Sequence, residues 1–255
     1  MNVVRVDLLS GIGFIDHGFF GRTGGESTGS FESLNVGLNR GDNDELVLRN
    51  REKVAAYFGV DLQDLVILNQ KHGGDVHVID NCNIEKYKFQ NVEEALDNEG
   101  DAIITNQKGL LIGVNTADCA PILLCDKDAK YVAAIHAGWR GVVGKIIENT
   151  IEKMRGLGCE NIVAAVGPCI QKKCFEVSHD FTDVVDEKYL SISEWKILFD
   201  MQLFVLDKLL QNGVGSVSKL DVDTFGNDSY FSYRRQAGKT GLQFSGIVIR
   251  GDKVL

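Results

Sequence analysis

Six cysteines and five histidines are the residues of this 255-residue chain best suited to nucleophilic or metal chemistry. Cys119 and His136 bracket a double apolar run, "CAPILLCDKDAKYVAAIH". "PILLC" and "YVAAIH" read as two strands of a β-hairpin whose turn centres near Asp128. Position 120 then pairs with about position 136, so Cys119 and His136 meet at the open end of the hairpin. Directly opposed strand residues hold their β-carbons roughly 4.5–5.5 Å apart. That spacing suits two ligands of one zinc ion, at roughly 2.3 Å for sulfur and 2.0 Å for nitrogen. It equally suits a hydrogen-bonded Cys–His pair that attacks an amide or ester without a metal. Pro121 has no N–H for a ladder, so it is expected to end the pairing and leave Cys119 in freer chain. Taken singly, a buried thiol and a satisfied core histidine are the ordinary roles of such residues. Their convergence is what suggests a site.

A metal needs a third ligand. His72 follows "VILNQ" at a strand end and precedes Gly73-Gly74, which puts it in an exposed turn. His77 alternates with valines in "DVHVID" and is expected to point off the core, while His17 and His179 lie in polar surroundings and read as exposed. His72, Cys119 and His136 leave one open position on a tetrahedral ion, the arrangement of catalytic zinc. Copper also accepts a His₂Cys set. A multicopper oxidase needs on the order of ten imidazoles, more than five histidines can supply. A zinc nucleobase deaminase needs H-x-E and P-C-x-x-C; no histidine here has that glutamate, and "PCIQKKC" has the wrong spacing.

Beyond His136, "AGWRG" leads into a helix from about Val142. Unpaired N–H groups at a helix start, together with the Arg140 guanidinium, would hold a phosphate or carboxylate. Asp118, beside Cys119, is either an acid/base or a turn residue that accepts backbone N–H groups.

The elements that must position these residues follow from periodicity. A helix is expected over 43–58, a second from about Val142 to Met154 and a third over 195–211. "DLVILNQ", "DVHVID", "DAIITN", "LLIGVN", "NIVAAVG", "SVSKLDVDTF" and "LQFSGIVIR" read as further strands. Residues 21–44 read as a long ordered loop, and 80–100 as surface loop or short helix. Helices and strands interleave with hairpins, which makes the chain α/β (α+β) with mixed sheets, and nothing divides it: residues 1–255 form one domain. With 44% hydrophobic residues the chain can bury a sizeable core. A net charge of -9 disfavours nucleic-acid binding. No apolar run is long enough for a membrane span, and no signal peptide is evident. The scattered cysteines suit reduced thiols in the cytoplasm.

"FFGRTGG", "SLNVG", "NQKHGG", "TADCAPILL", "IHAGWRG", "VGPCI", "FEV" and "SYRR" follow one another along nearly the whole chain. In this the chain resembles the YfiH/laccase-domain family of purine nucleoside phosphorylases. The resemblance implies two related halves packed sheet against sheet, with flanking helices, and zinc held by His72, Cys119 and His136. It implies phosphorolysis of adenosine, inosine and methylthioadenosine, and adenosine deamination at the same metal. Partners would then be purine nucleosides and phosphate, in a monomer or homodimer. Arg22, Asn35, Gln70, Arg140 and Arg234 become candidates for substrate and phosphate, with Arg235 a further cation. Two departures stand out: Asp223-Thr224 where relatives often carry Cys-Thr, and Leu242 in "TGL" where relatives often carry arginine.

Overall fold

Strands that are apolar on both faces have to be covered on both sides, and "PILLC", "YVAAIH" and "NIVAAV" are of that kind. The structure, a computed structural model, describes residues 1–128 and 131–250. Its strands are, in chain order, β1 Val3–Val4, β2 Ile15–Phe20, β3 Leu65–Ile67, β4 Val76–Ile79, β5 Ala102–Thr105, β6 Leu111–Thr116 and β7 Ala120–Asp126. There follow β8 Val132–Ala137, β9 Ile162–Val166, β10 Glu176–Val177, β11 Leu190–Ile192, β12 Ile197–Phe199, β13 Ser216–Lys219 and β14 Gln243–Ile249. The helices are α1 Asp7–Ser10, α2 Asp44–Phe58, α3 Ile84–Tyr87, α4 Val92–Asp97, α5 Trp139–Val143, α6 Ile146–Gly156 and α7 Met201–Gln211.

One mixed sheet has the order β1-β2-β14-β6-β3, a second β13-β9-β7-β8-β5-β4, and a small third β10-β12-β11. Side-chain alternation sorts the layers. Ile122, Leu124, Ala133, Ile135 and Val166 pack against α6 and α7. Their alternates Leu123, Cys125, Val132, Ala134 and Ala165 meet Phe19, Ile112, Val114 and Ile247 of the first sheet. The outer face of that first sheet, Phe20, Leu111, Phe244 and Val248, is covered by Val54, Ala55 and Phe58 of α2. The result is helix, sheet, sheet, helix, with the mixed sheets and flanking helices expected from the sequence.

Several local expectations need correction. The hairpin register is one residue off: Ala120 pairs with Ala137, and Pro121 with His136. Pro121 does not end the ladder. Its carbonyl accepts the Gly167 N–H on the β9 side, so its missing N–H also falls there, just past Ile122, where that ladder stops. The helix read from Val142 starts at Trp139 and is broken, because Lys145 adopts a left-handed φ of 66° between α5 and α6. Residues 197–199 form a strand, so the third helix begins only at Met201. "SVSKLDVDTF" pairs continuously only over Ser216–Lys219. His17 is buried, and its Nε2 accepts the Val6 N–H; burial, reinforced by Arg5, lowers its pKa to about 4.

The two-faced strands set a stability expectation. Leu123, fully buried between the sheets, should cost about 2–5 kcal/mol when cut to alanine. Leu210, 56% exposed on α7, should cost well under about 1 kcal/mol. Urea denaturation of both variants checks the layer assignment.

Candidate metal centre

Three neighbouring strands deliver the site at one end of the second sheet. β5 and β8 pair Ala102 with Ile135, so the next residues outward, Asp101 and His136, face each other. On β7, Pro121 stands opposite His136. Cys119, two residues earlier in the chain, falls on the same face as Pro121 and so reaches the His136 side. The fourth element is the turn after β3 that carries His72.

Asp101 ties these together. Its Oδ1 accepts the His136 Nδ1–H at 2.7 Å and the His72 backbone N–H at 2.9 Å. Its Oδ2 accepts the backbone N–H groups of Gly73 at 2.7 Å and Lys71 at 3.2 Å. Its own carbonyl accepts the His136 N–H at 2.8 Å. A carboxylate on Nδ1 sets the tautomer that leaves Nε2 of His136 as the metal-facing nitrogen. His72 itself sits at a left-handed φ of 60°, a conformation that the N–H bonds around it hold in place.

The residues present fit a metal ion. Cys119 Sγ is 3.9 Å from His72 Nε2, and one donor atom from each of His72, Cys119 and His136 lies within 4.8 Å of the others. Donors on a tetrahedral zinc sit roughly 3.3–3.8 Å apart, so the set must draw in by about 1.5 Å at most. Gly138 keeps the space clear. A β-carbon there would lie 2.8 Å from His72 Cδ2 and 3.2 Å from Cys119 Sγ. His72 is exposed, Cys119 half-buried and His136 buried, so the cluster opens to solvent on the His72 side.

Charge is already organised. Burial works to raise the Cys119 thiol, but the His136 charge and hydrogen bonds from both imidazoles outweigh it and pull the pKa down. Burial works to lower His136, and the Cys119 thiolate with the Asp101 carboxylate outweighs it and pushes the pKa up. Burial likewise opposes the Asp101 carboxylate, and the His136 hydrogen bond and charge still hold it down. By contrast burial pushes the Cys125 and Cys169 thiols up.

The other candidate residues divide. Asp118 adjoins the centre, but its carboxylate is committed: Oδ1 accepts from Thr224 Oγ1 at 2.6 Å, and Oδ2 from Ser232 Oγ at 3.0 Å and the Arg234 N–H at 2.7 Å. It anchors the 224–234 loop beside Cys119. Asp223 steadies the same loop, accepting from the Gln171 and Phe225 N–H groups and the Cys174 thiol. Gln70 exchanges two hydrogen bonds with the Asn115 backbone. Asn35 is fully buried, donating to Asp42 and accepting from Gly37 and Leu242. Gln70 lines the pocket beside His72. Arg22 stacks on Phe231, Arg234 on Phe175, and exposed Arg140 on Trp139. Arg235 donates to carbonyls of its own loop. His77 bonds Tyr87 at 2.9 Å and stays out of the cluster. Sequence reading missed Asp101. The only cue for Asp101 was an acid opening the strand "DAIIT".

Asp101→Asn keeps the side-chain volume but presents an amide N–H to one set of donors. Zinc affinity, measured by competition with a chromophoric chelator, should fall about 10–100-fold. Gly138→Ala should lower affinity as well, with folding judged by circular dichroism.

Residues 16–250 match the family model described as multi-copper polyphenol oxidoreductase laccase. A purine nucleoside phosphorylase of Deinococcus radiodurans is 35% identical over 239 residues, covering 91% of this chain and 88% of that one. The protein named adenosine deaminase RL5, from an unknown prokaryotic organism, is 34% identical over 246 residues, covering 89% and 92%. The solved structure of Bacillus licheniformis hypothetical protein YfiH superposes with a TM-score of 0.84 at 28% identity, covering 92% of this chain and 93% of that one. On its sequence, its layers and this end of its second sheet, the chain belongs to the YfiH family, described as multi-copper polyphenol oxidoreductase laccases.

Proposed function

We propose that this protein is a zinc-dependent purine nucleoside phosphorylase that also deaminates adenosine. The carrying observation is the His72, Cys119 and His136 cluster, with His136 oriented by Asp101 and the His72 side open to solvent. Relatives named for both activities support the substrate class. Three donors at one point suit a single zinc better than a multicopper centre; copper is the second metal that takes this donor set.

When bound, zinc supplies Lewis acidity at its open position and makes a water there more acidic. The protein's own residues do the rest. Asp101 keeps the His136 tautomer fixed, and Gly138 keeps the approach free. In deamination, water adds at C6 of adenine and ammonia leaves, giving inosine. In phosphorolysis, a phosphate oxygen bonds to ribose C1′ and the C1′–N9 bond breaks. The electron pair leaves with the base, which takes up a proton, giving ribose 1-phosphate. Positioning and charge stabilisation carry that step. Arg22, Arg140 and Arg234 are the cations this reading offers to the substrate, and Asp118 acts by holding the loop that carries Arg234. Adenosine, inosine and methylthioadenosine are the substrates proposed. Scattered cysteines suited to reduced thiols support a cytoplasmic protein, and no helix among the described residues is long and apolar enough to cross a membrane.

The thiolate–imidazolium polarisation of Cys119 and His136 favours one second reading, a metal-free thiol hydrolase acting on an amide or ester. Alkylation separates the two. With zinc bound, Cys119 should be protected from iodoacetamide and become reactive after chelation; equal rates in both states would favour the hydrolase.

The product assay is decisive for the main reading. Zinc-loaded protein given adenosine should release adenine only with phosphate and inosine without it. Cys119→Ala should lose zinc and both products together. Product levels no higher than in that variant would contradict the assignment.

A further inference from the structure

A groove leaves the metal centre on the His72 side. Its mouth is a cavity of about 380 Å³ formed by His72, Lys71, Asn69 and Arg40. It continues past Gln70 and Leu38 to a narrower end lined by Arg51, Asn115 and Leu242. Lys71 is committed to Glu99, at 2.8 Å. Three other polar groups are not committed in this way.

Arg51 is buried, with 5% exposure. It projects from α2, and its side chain makes one hydrogen bond among the described residues, donating Nε–H to the Val36 carbonyl at 2.8 Å. No carboxylate among the described residues forms an ion pair with it; Asp44 acts on it only at longer range. A buried guanidinium without a counter-charge is costly. Asn115 presents a second anomaly. Its backbone is held by Gln70, yet its side-chain Oδ1 is buried with no hydrogen-bond partner among the described residues. Buried polar groups are ordinarily paired. Arg40, exposed at the mouth, has no ion pair or hydrogen bond among the described residues.

Two cations and one orphaned acceptor thus line a passage that ends at the metal. A fully deprotonated anion would satisfy the arginines and repel Asn115 Oδ1. Hydrogenphosphate satisfies all three, because it has oxygens for two guanidinium groups and one P–O–H donor for the amide oxygen.

We propose that the groove from His72 to Arg51 is the inorganic-phosphate subsite of this enzyme, with Arg51 and Arg40 holding the anion and Asn115 accepting its proton-bearing oxygen. The proposal rests on the phosphorylase reading and deepens it. It moves the phosphate away from Arg140, where α5 is only five residues long. A nucleoside whose C6 faces the metal then has its ribose along the groove, with C1′ between base and phosphate.

The test has two arms. In the first, KM for phosphate is measured on zinc-loaded protein with inosine, for wild type, Arg40→Gln, Arg51→Lys and Arg49→Gln. Arg40 is exposed, so its variant should fold. Arg51→Lys keeps the buried charge but not the fork. Arg49→Gln removes the same charge from the outer side of α2, where Arg49 pairs with Glu26 and Glu45. We expect KM for phosphate to rise at least tenfold in the first two variants and less than twofold in the third. We also expect sulfate, which has no proton to offer at neutral pH, to inhibit only at concentrations at least tenfold above KM for phosphate. Unchanged KM in folded Arg40→Gln and Arg51→Lys would overturn the subsite.

In the second arm, inorganic phosphate is titrated calorimetrically into zinc-loaded protein without nucleoside. Binding that weakens in Arg40→Gln supports the subsite even if no nucleoside turns over, in which case the phosphorylase reading alone fails. Binding that is equal in wild type and both groove variants overturns the subsite and leaves the phosphorylase reading standing.

Discussion

A single carboxylate decides the geometry of this protein's reactive end. Asp101 is almost wholly buried, and a buried carboxylate must be fully solvated by protein donors or it neutralises. Here four N–H groups do so, three from the backbone at Lys71, His72 and Gly73 and one from the His136 ring. The same requirement therefore fixes two things at once. It pins the turn that carries His72, and it sets the orientation and tautomer of His136. Two imidazoles from distant parts of the chain come to face one thiol because one acid needs its hydrogen bonds.

The layers hold that arrangement still. β5, β7 and β8 are buried on both faces, so their ends are rigid, and residues at rigid strand ends keep their spacing. On the other side of Cys119, Asp118 plays a matching part. It draws Thr224, Ser232 and the Arg234 N–H onto one carboxylate. The cysteine thus lies between two anchored segments. Asp223 belongs to this anchoring and not to the donor cluster.

Much of this was legible from residue order. Alternation and apolar runs identified β3 to β9, β13 and β14 but not β1, β2 or the small sheet β10–β12, and the hairpin brought Cys119 to His136 with a register error of one residue. That slip did not hide the pairing, since both residues still reach the same end. The break at Lys145 was not legible, because Val143, Ile146 and Ile147 keep helical spacing across it. Nor was β12, where "ILF" continues the apolar pattern of the helix that follows. Asp101 went unseen for a deeper reason. Its role depends on β5 lying beside β8, and no local pattern announces which strands are neighbours. The buried arginine was hidden likewise: Arg51 looks like any solvated helix cation until α2 is packed on its sheet.

The central claim is that Asp101 assembles one metal centre from two histidines and a thiolate. X-ray absorption at the zinc edge of the metal-loaded protein tests it most directly. The account predicts one zinc per chain with one sulfur at about 2.3 Å and two imidazole nitrogens at about 2.0 Å. A first shell without sulfur, or a zinc content far below one per chain in folded protein, would contradict it.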